Sequence, residues 1–175
     1  MSLLIISASL NPASKSRLLV EAASATLTAD GVTHQILDLR NLPLPLCDGG
    51  AAYGDPNVAK AAMLVREASA IMVASPIYNY DVNAALKNLL ELTGKAWTDK
   101  TVSFLVAAGG NSSYMSIMSV ANSLMLDFRC VIVPRFVYAA PADFNENGIA
   151  SETVTDRVAE CARATAQLAA QRAQT

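Results

Sequence analysis

The sequence has few of the residues that build metal centres or disulfide frameworks. It contains one histidine and three cysteines in 175 residues, and no two cysteines form a C-x-x-C arrangement. One histidine is too few for a Cys/His metal site, so we expect no metal. Three widely spaced cysteines (Cys47, Cys130 and Cys161) are typical of reduced thiols in a reducing compartment. The sequence therefore predicts a cytoplasmic protein.

Excess charge of one sign and long apolar runs are also missing. The formal net charge is -2, which gives no basic footprint for nucleic acid. No apolar run is long enough to span a bilayer, and no basic segment precedes the first one, so we expect neither a membrane span nor a signal peptide. Hydrophobic residues make up 53% of the chain, which indicates a large core or an apolar surface that meets another subunit.

Short apolar runs alternate along the chain with amphipathic stretches. We expect strands over 3–6, 33–39, 70–75, 101–108 and 131–138, the last bent at Pro134, and helices from about Lys15, 56–68, 84–92, 114–128 and 153–172. This alternation predicts one α/β domain over residues 1–175. Its core would be an open five-stranded parallel sheet of order 2-1-3-4-5 with helices on both faces, a three-layer sandwich.

The loop between the first strand and the first helix is rich in hydroxyl and amide side chains. Lys15 and Arg17 follow in the first helical turn, where the helix dipole disfavours cations, and a bound phosphate would remove that conflict. The alternative is a capping loop with two solvated cations. The loop carries neither a Walker A motif nor a glycine-rich dinucleotide fingerprint. Its neutral hydrogen-bonding side chains are Ser9, Asn11, Ser14 and Ser16.

Two further loops follow the third and fourth expected strands. In the first, Pro76 fixes a turn that presents Tyr78 and Tyr80, an aromatic wall suited to a planar heterocycle. In the second, two glycines at 109–110 allow close backbone approach to a ligand. Parallel strands end at one sheet edge, so all three loops would surround one crevice of mononucleotide size. The alternative is that the tyrosines pack loop ends and the glycines form an ordinary turn.

These loops carry a family resemblance. Residues 75–80 (Ser-Pro-Ile-Tyr-Asn-Tyr) followed by 84–88 (Ala-Ala-Leu-Lys-Asn) resemble the signature of the flavodoxin-like NAD(P)H-dependent FMN reductases, which include flavin, quinone, azo and chromate reductases. The resemblance implies non-covalently bound FMN, NADPH or NADH as hydride donor, a small-molecule acceptor and no catalytic side chain. It also implies a homodimer or homotetramer packed through the helices after the Tyr78 and Gly110 loops.

The resemblance also assigns the cofactor contacts. Three positions depart from the common pattern: Asn11 stands where many members have arginine, Ile77 where many have glutamate, and 81–83 where glycine and proline are frequent. Two alternatives stay open, a one-electron carrier of the flavodoxin type, against which the small net charge argues, and a flavin-free binding protein that keeps the fold. The implied FMN contacts are Ser9, Asn11, Ser14, Lys15, Ser16, Arg17, Pro76, Ile77, Tyr78, Asn79, Gly109, Gly110 and Asn111.

Overall fold

A mainly parallel β-sheet forms the middle layer of the computed structural model, which describes residues 2–174. The strands lie in the order β2-β1-β3-β5-β6, with β7 beside β5 and β4 beside β3. Five consecutive buried residues in β1 and seven in β5 explain why these apolar runs become central strands. The strands of this sheet are β1 (Leu3–Ser7), β2 (His34–Asp38), β3 (Ala70–Tyr78), β4 (Asp81–Val82), β5 (Thr101–Ala107), β6 (Val131–Ile132) and β7 (Val137–Ala139).

Helices cover both faces of the sheet. Alternate residues of β1 enter opposite cores: Leu3 and Ile5 pack under α1 and α5, whereas Leu4 and Ile6 face the core of α2, α3 and α4. The expected α/β sandwich is therefore confirmed. The five helices are α1 (Lys15–Ala29), α2 (Pro56–Glu67), α3 (Ala84–Thr93), α4 (Met118–Phe128) and α5 (Glu152–Arg172).

The sheet has seven strands, so the expected count of five was wrong. The last expected strand is broken into β6 and β7, which pair with different parts of β5. Pro134 has no backbone N–H to donate, and Arg135 has a φ of 61°, so residues 134–136 leave the ladder. The added strand, β4, pairs antiparallel with the end of β3.

Two other segments differ from the sequence-based expectation. The expected fourth helix begins as a 3₁₀ turn over Tyr114–Ile117 before it becomes α4. A small antiparallel hairpin that was not expected follows β7 and consists of β8 (Phe144–Asn145) and β9 (Gly148–Ile149). None of the helices between residues 2 and 174 is both long enough and apolar enough to cross a membrane.

The start of α2 and the end of α3 have ordinary capping residues. Asp55 caps α2 by accepting a hydrogen bond from the backbone N–H of Asn57 at 2.7 Å. Gly94 ends α3 with a φ of 34°. Just beyond it, Trp97 is fully buried in the core under α3, and its indole N–H donates to Thr93 Oγ1 at 2.8 Å.

Candidate functional site

Three loops meet at the carboxyl edge of the central strands. They follow β1, β3 and β5, and these strands are neighbours in the sheet. Ser7 lies opposite Ala74, and Pro76 lies opposite Ala107, so β1 and β5 end within two residues of each other along β3, which continues to Tyr78. Strand order and register therefore bring the three loops to one edge of the sheet, where the sequence predicts a crevice.

The first loop leaves the start of α1 open to an anion. Ser14 is the N-cap residue, but its side chain accepts no capping hydrogen bond from a backbone N–H of the helix, and the first turn contains no acidic residue. The hydroxyls of Ser14 and Ser16 lie 2.9 Å apart, and Ser16 is buried. The first N–H groups of a helix need acceptors and favour negative charge, so this helix start suits a phosphate.

The same loop is held in shape by its own side chains. Ser9 is 1% exposed, and its hydroxyl accepts a hydrogen bond from the N–H of Asn11 at 3.3 Å. Asn11 in turn accepts from the N–H of Ala13 at 2.9 Å. The oxygen of Asn11 therefore acts as a turn-forming group.

The two cations of this region have partners within the protein. The ammonium of Lys15 lies 5.2 Å from the ring centre of Phe144 in β8, a cation–π geometry. Arg17 forms an ion pair with Asp38 at the end of β2. An anion at the start of α1 would therefore meet mainly hydroxyl and backbone donors.

Asp38 is the centre of a small charged cluster. It accepts from the backbone N–H of Arg40 at 3.1 Å, from Arg40 Nη2 at 3.2 Å and from Asn41 Nδ2 at 3.3 Å, in addition to Arg17. Burial alone raises the pKa of Asp38, but the hydrogen bonds from Arg17 and Arg40 outweigh it and lower that pKa below 3.8. The carboxylate is therefore charged at neutral pH and fixes both guanidiniums.

The second loop is a two-residue hairpin turn between β3 and β4. Asn79 and Tyr80 form the turn with φ angles of 50° and 63°, the left-handed pair that a type I′ turn requires. Asn adopts this conformation readily, but Tyr rarely does. Tyr78 and Tyr80 are 55% and 66% exposed, whereas Ile77 is buried in the strand.

Asn83 connects the first two loops. Its side-chain N–H donates to the carbonyl of Ala8 at 2.7 Å, and its backbone N–H donates to Ser75 Oγ at 3.3 Å. Its side-chain oxygen lies 3.2 Å from Ser75 Oγ and accepts from the N–H of Leu86, which caps α3. Asn83 is 6% exposed, so this network is buried.

The third loop contains two glycines that the protein's own packing does not require. Gly109 and Gly110 do not adopt the left-handed φ region, and an added Cβ at either would meet no protein atom within 4 Å. The space beside both is therefore available to a ligand. The loop itself is held by Tyr138, whose hydroxyl donates to the carbonyl of Gly110 and lies 3.1 Å from Ser113 Oγ.

Three residues that hold this site were not identified from the sequence: Asp38, Asn83 and Tyr138. Asn83 had a readable signal, because Asn directly before an apolar helix is a favoured N-cap. The pairing of Asp38 with Arg17 had none, since the two residues are 21 positions apart. Asn111, an expected contact residue, is exposed at the same edge.

Comparisons with known proteins agree with this geometry. The family described as NADPH-dependent FMN reductase matches residues 1–145. An NAD(P)H-dependent FAD/FMN reductase of Geobacillus thermodenitrificans is 32% identical over 135 residues, which cover 75% of this chain and 72% of that protein. A probable NADPH:quinone oxidoreductase of Oryza sativa is 28% identical over 153 residues, which cover 82% of this chain and 75% of the relative.

Solved structures share the fold. The flavoenzyme NAD(P)H:(acceptor) oxidoreductase from Paracoccus denitrificans superposes with a TM-score of 0.79 at 14% identity, over 97% of both chains. An oxidoreductase from Corynebacterium diphtheriae gives a TM-score of 0.76 at 22% identity, again over 97% of both chains. With three loops of the expected kind at the carboxyl edge of a flavodoxin-like sheet, this chain belongs to the NADPH-dependent FMN reductase family.

Proposed function

We propose that the crevice between the three loops binds FMN without a covalent bond, and that the protein transfers a hydride from NADPH or NADH to a small acceptor. The observation that carries this proposal is the start of α1, which has two serine hydroxyls, no acidic residue in its first turn and no side-chain cap. FMN, when bound, supplies the redox chemistry, and the protein supplies binding and orientation.

The residues of the first loop fit a phosphate. Ser9, Ser14, Ser16 and the backbone of Lys15 would supply hydroxyl and N–H donors. Arg17 would not contact the phosphate directly, because its guanidinium is already paired with Asp38. This arrangement leaves positive charge near the loop, since Asp38 is paired with two arginines.

The second and third loops fit a flat ring. Tyr78 and Asn79 offer an exposed surface beside the crevice, whereas Pro76 and Ile77 form the buried base of the hairpin. Gly109 and Gly110 leave open space for the edge of the ring and offer backbone N–H donors. Backbone N–H donors would stabilise negative charge that develops on the ring, so the reaction would need no acidic or basic side chain there.

No side chain is assigned as a proton donor or acceptor. The sequence has one histidine, His34. It lies at the amino end of β2, away from the crevice, and its ring is hydrogen-bonded to Ser24 Oγ at 2.8 Å and to the carbonyl of Val32 at 3.0 Å. Transfer of a hydride between two rings requires alignment and exclusion of water, which the loops would provide.

An absorbance spectrum tests the proposal. The purified protein, mixed with FMN, should retain a flavin spectrum after gel filtration. Anaerobic addition of NADPH or NADH should then bleach that spectrum without a second protein. Retained flavin that is not bleached by either nicotinamide would favour a one-electron carrier. A protein that neither retains FMN nor reduces added FMN would refute the reductase assignment.

We also propose a homodimer or homotetramer packed through α3 and α4. A groove of about 650 Å³ lies between these helices. Exposed apolar side chains also lie on α4 and the turn before it: Met115, Met118, Met125 and Leu126. Light scattering should give a multiple of the 18.4 kDa chain mass, and Leu126→Lys should shift the protein towards the monomer.

A cytoplasmic location is part of the same proposal. The three cysteines are unpaired, and Cys130 and Cys161 are buried in the cores on opposite faces of the sheet. Unpaired thiols and a nicotinamide cofactor suit a reducing compartment. Fractionation of the source cells, followed by immunodetection, tests this location.

A further inference from the structure

The hydroxyl of Tyr138 in β7 is bonded to both ends of the third loop. It donates a hydrogen bond to the carbonyl of Gly110, and it lies 3.1 Å from the hydroxyl of Ser113. A phenol has a single proton, and a carbonyl can only accept, so the hydroxyl of Ser113 is the donor in the second contact. One side chain of the sheet therefore holds the loop at two separate points.

Tyr138 is itself held in place by its neighbours. It lies opposite Val106 in the parallel ladder between β5 and β7, just before the third loop begins. The ring of Tyr114 has its centre 5.6 Å from that of Tyr138 and 4.8 Å from that of Phe136. Aromatic rings at such distances attract one another. The hydroxyl is thus presented to the loop from a fixed position.

The backbone N–H groups of the third loop are available to a ligand. Within residues 2–174, those of Gly109, Gly110 and Asn111 donate to no protein acceptor. An added Cβ at either glycine would meet no protein atom within 4 Å, so there is open space beside these donors. A backbone N–H that a ligand covers needs an acceptor, which the ligand itself has to supply.

The bond to Tyr138 also determines the direction of one of these donors. The peptide between Gly110 and Asn111 is trans, so its C=O and its N–H point in opposite directions. Because Tyr138 holds the carbonyl of Gly110, the N–H of Asn111 points away from that tyrosine. Tyr138 lies on the β7 side of β5, whereas the first and second loops follow β1 and β3 on the other side.

We propose that Tyr138 is a positioning residue for the flavin: it directs the N–H of Asn111 into the crevice, where this donor meets an oxygen at the edge of the ring. This inference rests on the proposed function. Reduction adds electron density to that edge, so a hydrogen-bond donor there stabilises reduced FMN more than oxidised FMN. Tyr138 thereby raises the reduction potential of the cofactor without contacting it.

The reduction potential of bound FMN tests this inference. Tyr138→Phe removes one oxygen atom and keeps the ring in its cluster. The affinity for reduced FMN should then fall about tenfold more than the affinity for oxidised FMN, which lowers the two-electron potential by about 30 mV. Equilibration with a dye of known potential, during reduction by xanthine and xanthine oxidase, measures this quantity without NAD(P)H.

Tyr114→Phe is the matched control. Tyr114 belongs to the same aromatic cluster, but its hydroxyl forms no hydrogen bond in the described part of the chain, so the potential should not change. Titration of the flavin-free proteins gives a second readout. Because Tyr138 acts on the ring and not on the phosphate, Tyr138→Phe should weaken the binding of FMN and of riboflavin by the same factor.

Three results would overturn the inference: an unchanged potential in Tyr138→Phe, an equal shift in Tyr114→Phe, or a larger loss of affinity for FMN than for riboflavin in Tyr138→Phe. A loss of stability alone would weaken oxidised and reduced FMN equally and leave the potential unchanged. Wild-type protein that retains FMN but is not bleached by NAD(P)H would refute the proposed function alone, because the dye measurement does not use NAD(P)H.

Discussion

The hydrogen-bond network of Asn83 offers a direct test of how the site is assembled. Asn83 has two separable tasks: its oxygen caps α3, and its side-chain N–H holds the carbonyl of Ala8 just before the first loop. Serine caps helices about as well as asparagine but has no amide N–H. Asn83→Ser should therefore keep the cap and release the loop, whereas Asn83→Ala should lose both.

The expected magnitudes follow from the buried position of the network. A buried carbonyl left without its donor costs about 1–3 kcal/mol, and loss of an N-cap costs about 1 kcal/mol more. Both variants should thus be less stable than the wild type, with Asn83→Ala lower than Asn83→Ser by about 1 kcal/mol. If the amide aligns the first loop, both variants should lose FMN affinity equally, by about tenfold or 1.4 kcal/mol.

Urea unfolding of the flavin-free protein and fluorescence titration with FMN measure the two quantities separately. Riboflavin, which lacks the phosphate, should lose less affinity than FMN. Asp55→Ser exchanges the N-cap of α2 away from the crevice and is the matched control, with unchanged FMN affinity expected. The reasoning is wrong if Asn83→Ser binds FMN as tightly as the wild type, or if the affinity loss follows stability and is larger in Asn83→Ala.

Four further predictions use other parts of the structure. Gly109→Ala should not destabilise the flavin-free protein in urea unfolding, because its Cβ meets no protein atom, yet it should weaken FMN binding; unchanged affinity would remove the glycine from the site. Tyr80→Gly should relieve the left-handed φ of 63° and raise the Tm by about 2–4 °C in calorimetry, and no rise would contradict strain in the turn. Burial raises the pKa of the Cys130 thiol to about 11, so about one thiol in a thousand is ionised at pH 8. Iodoacetamide should therefore label Cys130 only after unfolding, which peptide mass spectrometry can verify. Because the pKa of Asp38 is lowered from 3.8, its ion pairs stabilise the fold above that pH, and this stabilisation is lost as the pH falls through the folded-state pKa. Asp38→Asn should therefore be less stable than the wild type at pH 7, and the difference in unfolding free energy should shrink towards pH 3. A difference that stays constant with pH would disprove this linkage.

The strongest sequence signals were those that burial imposes on whole segments. The runs at 3–6, 70–75 and 101–108 are apolar because these strands are covered on both faces, and this property is visible in a single sequence. Strand order then follows from the handedness of crossovers, which brings the three loops to one edge. The positions of the three loops are therefore predictable from the sequence, whereas their contacts are not.

The remaining features depend on contacts between distant residues or on unusual backbone angles. β4 went unpredicted because its turn uses Tyr80 at positive φ, where a glycine would have signalled a hairpin. The partner of Lys15 is Phe144, which lies 129 positions further along the chain, and no local pattern connects the two residues. The partner of each cation is therefore set by the folded chain and not by the local sequence.

The single tryptophan of the chain has a practical consequence. Trp97 is sealed within the core under α3, and its indole N–H is bonded to Thr93. Its emission should lie at short wavelength in the native state and shift to the red when this core opens. Since flavins absorb where indole emits, bound FMN should quench the fluorescence of this tryptophan by energy transfer. Cofactor uptake can therefore be followed without an added label.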